Sequence, residues 1–142
     1  PDSKNKEASE YFKERFGVEI NTIEGLEFVE RSGDHWIRSE NKNSLEKETE
    51  GIRALRNTGK YLKPTTYVLQ LFDEEISKNF VDLDRDELKE LLNGEMIPVE
   101  ASSKGYVALK FEGKIIGCGL YMDDVVSSRI PRGRAEELEL FI

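Results

Sequence analysis

A chain of 142 residues, 37% apolar and 35% charged, has room for one domain or for two very small ones sharing an interface, and it is too apolar for a disordered segment. Its 29 acidic residues outnumber 21 basic ones, and the net charge of −8 argues against holding a polyanion through the overall field. No apolar run is long enough to span a membrane, and PDSKNKEASE offers no apolar signal segment. Cys118 stands alone, so an internal disulfide and a thiolate metal cluster are excluded, and a soluble cytoplasmic protein without structural zinc is expected.

In chain order, Tyr11, Phe12, Arg15 and Phe16 recur at helical spacing and predict a helix over Glu7 to Phe16, with Gly17 as its terminator. Leu26, Phe28 and Val29, then His35, Trp36 and Ile37, flank Arg31-Ser32-Gly33-Asp34 and read as a β-hairpin. Ser39 to Glu50 is almost wholly polar and is expected to be a surface loop or a solvated helix. GIRALR reads as a short strand ended by Asn57-Thr58-Gly59. Pro64 then suits the first turn of a helix from Thr65 to Ile76 that buries Val68, Leu69, Phe72 and Ile76.

The second half carries clearer signals. NFVDL is a strand, Asp84 and Glu87 have capping-box spacing for a helix through Leu92, and Asn93-Gly94 closes it. Pro98 and Ala101-Ser102-Ser103 mark a loop. GYVALKF and KIIGCGLY are strands joined by Glu112-Gly113, Asp123-Asp124 makes the next turn, and Val125 to Ile130 is the last strand. Pro131-Arg132-Gly133-Arg134 reads as an exit loop before AEELELFI. Glycines weaken a strand unless the backbone needs the space, so Gly117 and Gly119 suggest a sharply bent strand in a small barrel.

Charge is segregated. From Gly51 to Phe72 there is no acid, and Arg53, Arg56, Lys60 and Lys63 are basic. Val125 to Ala135 is again free of acid and carries Arg129, Arg132 and Arg134. Such windows also arise by chance in a highly charged chain. Candidate catalysts are sparse: His35 beside Trp36 reads as a packed histidine, and Cys118 between two glycines as a small apolar residue. Asp82, Asp84 and Asp86 alternate like a divalent-ion loop but lack the glycine and the terminal glutamate such a loop needs. No metal, cofactor or enzymatic activity is expected.

The order strand, capped helix, Asn93-Gly94, loop, then GYVALKFEGKIIGCGLY, from about Asn79 to Ile142, resembles the PUA domain of pseudouridine synthases and archaeosine transglycosylases. GIRALRNTGKYLKPTTYVLQLF followed by that segment is similar to the PUA-containing C-terminal region of the Nop/Sun RNA 5-methylcytosine methyltransferases. More loosely, it is similar to ribosome-biogenesis factors built from a pre-PUA and a PUA domain. The resemblance implies an α+β chain with a pre-PUA-like domain over 1–78 and a PUA-like β-barrel over 79–142. It also implies RNA binding without the methyltransferase's own catalytic domain, of which neither the glycine-rich cofactor loop nor the cysteine pair is present.

By position in the family, the RNA groove would involve Asn93-Gly94, Lys104-Gly105 and the run Arg129 to Arg134. With Arg53, Arg56, Lys60 and Lys63, these residues would hold structured rRNA or tRNA through phosphates and shape. Tyr61, Tyr67 and Tyr106 offer ring faces to an unpaired base, beside the plainer role of lining the core. A separate RNA methyltransferase or a ribosomal protein is a further expected partner. The competing reading, a protein-interaction adaptor in ribosome assembly whose acidic body docks a basic partner, accounts better for the net charge.

Overall fold

A computed structural model describes residues 2–20, 25–39, 51–100 and 103–142, with side chains from Lys6 onward. The polar stretch expected as a surface segment lies, beyond Ser39, outside the described residues, as do Ala101 and Ser102. Helix α1 (Asp2–Phe16) starts five residues earlier than its sequence pattern marks. It buries Ala8, Phe12 and Phe16 at four-residue spacing. Gly17, at φ +72°, ends it by donating to the Lys13 carbonyl at 3.0 Å.

Strands β1 (Leu26–Arg31) and β2 (Asp34–Ser39) form the expected hairpin. Ser32 and Gly33 both have positive φ, 52° and 88°, as a two-residue turn matched to strand twist requires. Strand β3 (Ile52–Asn57) pairs with β2 across a bulge: His35 faces Leu55 and Trp36 faces Arg53, leaving Ala54 unpaired. That extra residue breaks the alternation, and Ala54 and Leu55 are both buried.

Strand β4 (Leu62–Pro64), which the sequence pattern does not reveal, completes the sheet β1-β2-β3-β4. Pro64 therefore ends an edge strand opposite Leu55 and does not open a helix, since at an edge its missing N–H breaks no ladder. Thr65 caps α2 (Thr66–Leu71) by accepting from the Val68 N–H. The helix is shorter than the span expected from the sequence, but Val68, Leu69, Phe72 and Ile76 are all buried.

The second sheet runs β5-β7-β8-β9-β6 in open order, from β5 (Phe80–Leu83), β6 (Ile97–Pro98), β7 (Gly105–Phe111), β8 (Lys114–Met122) and β9 (Val125–Ser128). Strand β5 lies parallel to β7, and the chain between them carries α3 (Arg85–Leu92). Asp84 and Glu87 close the capping box at 2.8 and 2.9 Å. Pro98 is not in a loop but pairs with Val125. The expected exit loop is also corrected: Pro131 stands at the N-cap, and α4 (Arg132–Glu139) follows at once. Proline suits the start of a helix, and Gly133 inside the first turn hides it from sequence reading.

Two apolar clusters share the second sheet. Alternation along β7 puts Val107 and Leu109 on one face with Leu88 and Leu91 of α3, Ile116 and Val126. Ala108 turns the other way and joins Ile115 and Cys118 in the core built by α1, α2 and the first sheet. In that core the Phe12 ring meets Phe28, Phe72 and Tyr11 at 5.8, 5.6 and 5.5 Å. A Cβ on Gly117 would fall 2.4 Å from Ile130 Cγ1, and one on Gly119 3.0 Å from the Ser127 carbonyl. Both glycines thus admit the close approach of β9 and its exit.

Polar bonds tie α1 and α2 to the second sheet and its approach. The Arg15 guanidinium donates to the carbonyls of Tyr106 (2.6 Å), Lys104 (3.0 Å) and Ser103 (2.9 Å) and to Ser103 Oγ (2.6 Å). Asn79 Nδ2 donates to the Arg15 carbonyl at 2.6 Å, and Gln70 of α2 reaches the Ile115 carbonyl at 3.2 Å. Partial burial lowers the Arg15 pKa, and this fork of charge-assisted bonds offsets the lost hydration.

Candidate nucleic-acid interface

Where β3, β4 and α2 meet the end of β9 and the start of α4, a cleft of about 590 Å³ opens between the two sheets. Arg53, Arg56 and Lys63 of the first basic window and Arg129 and Arg134 of the second all line it, together with Trp36, Ile52, Pro64, Tyr67 and Pro131. Among the described residues no carboxylate lines this cleft. Windows separated by more than fifty residues of acidic chain therefore supply cations to one concavity.

Their environments differ. The Arg53 guanidinium lies over the Trp36 ring at 5.2 Å, as the cross-strand register dictates, and pairs with Asp34 at 3.5 Å. Arg31 covers the same ring at 5.1 Å. Arg134 pairs with Glu137 one turn along α4, at 3.6 Å. Arg56, Lys63 and Arg129 have no ion pair with any described residue, so no described carboxylate compensates their charge at close range. The Arg53 and Arg134 pairs are exposed and weak, and an incoming anion can compete with them.

A second cleft of about 660 Å³ lies beside α3 and α4. It takes in Asn93, Gly94, Met96, Ser127, Ser128, Arg129 and Arg132, with Glu136 and Glu139 on its wall. Arg129 lines both clefts and connects them. Lys60, Lys104 and Gly105 line neither. Lys60 sits in the turn between β3 and β4, while the Lys104 carbonyl and Gly105 lie against the Arg15 guanidinium.

Of the three tyrosines, Tyr67 lines the inter-sheet cleft and is 70% exposed. Tyr61 and Tyr106 line neither cleft, and burial pushes the Tyr106 hydroxyl up. Sequence reading passed over Trp36 as a site residue, because its partner Arg53 lies across a β2–β3 pairing that only the fold reveals.

The two candidate catalysts, His35 and Cys118, face inward. His35 is 2% exposed, with Nε2 3.5 Å from Glu7 Oε1 and a buried Nδ1 that has no hydrogen-bond partner among the described residues. Burial pushes the Cys118 thiol up to about 12, and the opposing pull of Lys63, Arg129 and Arg15 is too weak to reverse it, so the thiol stays protonated. Among the described residues no three of His, Cys, Asp or Glu converge as a metal site, and no helix is long and apolar enough to cross a membrane.

Residues 78–135 match the family model described as the methyltransferase RsmF PUA domain. A segment of 64 residues is 34% identical to the ribosomal RNA small subunit methyltransferase F of Vibrio vulnificus, in strains YJ016 and CMCP6 alike. That segment covers 45% of this chain and 14% of each methyltransferase. The matched stretch begins just before β5 and ends in the first turn of α4, taking in the whole second sheet. Over residues 78–135 this mixed helix-and-sheet chain thus matches a PUA domain, and that part resembles the PUA-containing C-terminal region of the Sun-family methyltransferases.

Proposed function

We propose that the chain binds structured ribosomal or transfer RNA in the cytoplasm, as a non-catalytic part of RNA modification or ribosome assembly. The two sheets act as the walls of one RNA-binding face: a pre-PUA-like unit over 1–78 and a PUA-like barrel over 79–142. The observation that carries this reading is the convergence of both acid-free windows on one cleft, which answers the objection raised by a net charge of −8. Phosphates near Arg56, Lys63 and Arg129 would gain charge–charge stabilisation and release condensed counterions, while the curvature between the sheets selects shape. Catalysis would come from a separate enzyme, such as an RNA methyltransferase acting on the same RNA.

Binding of a labelled RNA hairpin across a range of salt concentrations tests the proposal. Five cleft cations set a ceiling of roughly 3.5 to 4.5 on the log–log slope, at about 0.7 to 0.9 per contact. A steep slope that falls in the Arg53→Glu/Arg56→Glu and Arg132→Glu/Arg134→Glu variants supports RNA binding. A flat, weak response favours the adaptor reading, for which the acidic body and the carboxylates of the second cleft speak, with a basic ribosomal protein as its partner.

A further inference from the structure

We propose that the inter-sheet cleft takes a single unpaired nucleotide whose base stacks on the Tyr67 ring. This rests on the RNA-binding reading above and names the substrate class of that site. The observations are the composition and volume of the cleft. A groove that only tracked a duplex backbone would need cations along a ridge. Here the cations rim a concavity whose other lining includes Ile52, Pro64, Tyr67 and Pro131. Its volume, about 590 Å³, falls within the range of roughly 300–1,000 Å³ usual for pockets that take one small ligand.

Two aromatic rings line the cleft, and they are not equivalent. Trp36 is half-buried and already carries two guanidinium groups, Arg31 and Arg53, at 5.1 and 5.2 Å. Tyr67, in the first turn of α2, is 70% exposed and takes part in no ring or cation contact among the described residues. The neighbouring helix positions Val68 and Leu69 are fully buried, so α2 is fixed and the tyrosine stands out from a rigid base. An exposed ring on an anchored helix, beside cations that no described carboxylate pairs, presents a π-face for the base and charge for its flanking phosphates. Paired bases cannot offer that face, so only a bulged, looped or flipped nucleotide can use both.

Two labelled two-strand RNA duplexes of equal length, one with a bulged adenosine and one fully paired, are titrated against the whole chain and its Tyr67→Ala and Tyr67→Phe variants. The expected result is preference for the bulged duplex, a roughly ten-fold loss of that affinity in Tyr67→Ala, retention in Tyr67→Phe, and an unchanged salt slope in all three. Unchanged affinity of Tyr67→Ala for the bulged duplex, or equal loss on both duplexes, overturns the stacking proposal and leaves the RNA-binding reading intact. Failure of the unaltered chain to bind either duplex overturns both.

Discussion

The two clefts have similar volumes and share Arg129, yet they differ in kind. The inter-sheet cleft gathers five cations and no described carboxylate, whereas the cleft beside α3 and α4 sets Arg129 and Arg132 against Glu136 and Glu139. A local potential depends on which charges converge, so a molecule of net charge −8 can present one strongly positive hollow and one nearly neutral one. The inter-sheet cleft also depends on both halves of the chain, three of its cations coming from the first and two from the second.

The largest expected effect is on RNA affinity. Charge reversal at Arg56 and Lys63 should weaken hairpin binding by roughly a hundred-fold, while the melting temperature moves by no more than a few degrees, because neither side chain has an ion-pair partner among the described residues. Next comes the clasp that holds the walls together. Arg15→Ala removes four donated hydrogen bonds and should lower stability by about 2–3 kcal/mol in urea denaturation, since bonds to a charged group are the costlier ones to lose.

A smaller effect is expected from pH. The Cys118 thiol titrates at about 12 in the fold against an ordinary 9, so the unfolded chain releases its proton first. Stability is therefore unaffected below about pH 9. Above it, stability falls by up to roughly 1.4 kcal/mol per pH unit, until the folded thiol itself ionises. Cys118→Ala should abolish the part of this decline that begins near pH 9. The part from buried Tyr11, whose hydroxyl is also pushed upward, sets in about one unit higher and should remain. The smallest effect belongs to the mixed cleft: Arg132→Glu should weaken the same hairpin by roughly three-fold, as its neighbouring carboxylates already blunt the potential.

Much of the second sheet was legible because its signals are local. The Asp84–Glu87 box and the Glu112-Gly113 turn each act within a few residues, and each is present. Elements defined by a distant partner were not legible. Strand β4 and the two-residue β6 exist only because β3 and β9 pair with them, and Pro64 and Pro98 hid both. Helix α4 was masked by Gly133 and by a run of arginines that reads equally well as a loop. In the candidate site, the two acid-free windows could be seen in the sequence, but their convergence could not, since it arises where Cys118 and Ala108 of one sheet complete the core of the other.

Ultraviolet crosslinking of a labelled RNA hairpin to the whole chain, followed by mapping of the adduct-bearing peptides, tests the shared face most directly. The account predicts adducts in both acid-free windows, 51–72 and 125–135, with Tyr67 among the modified residues. Adducts confined to the neighbourhood of Asn93, Gly94 and Met96, or scattered over the acidic surface, would contradict it.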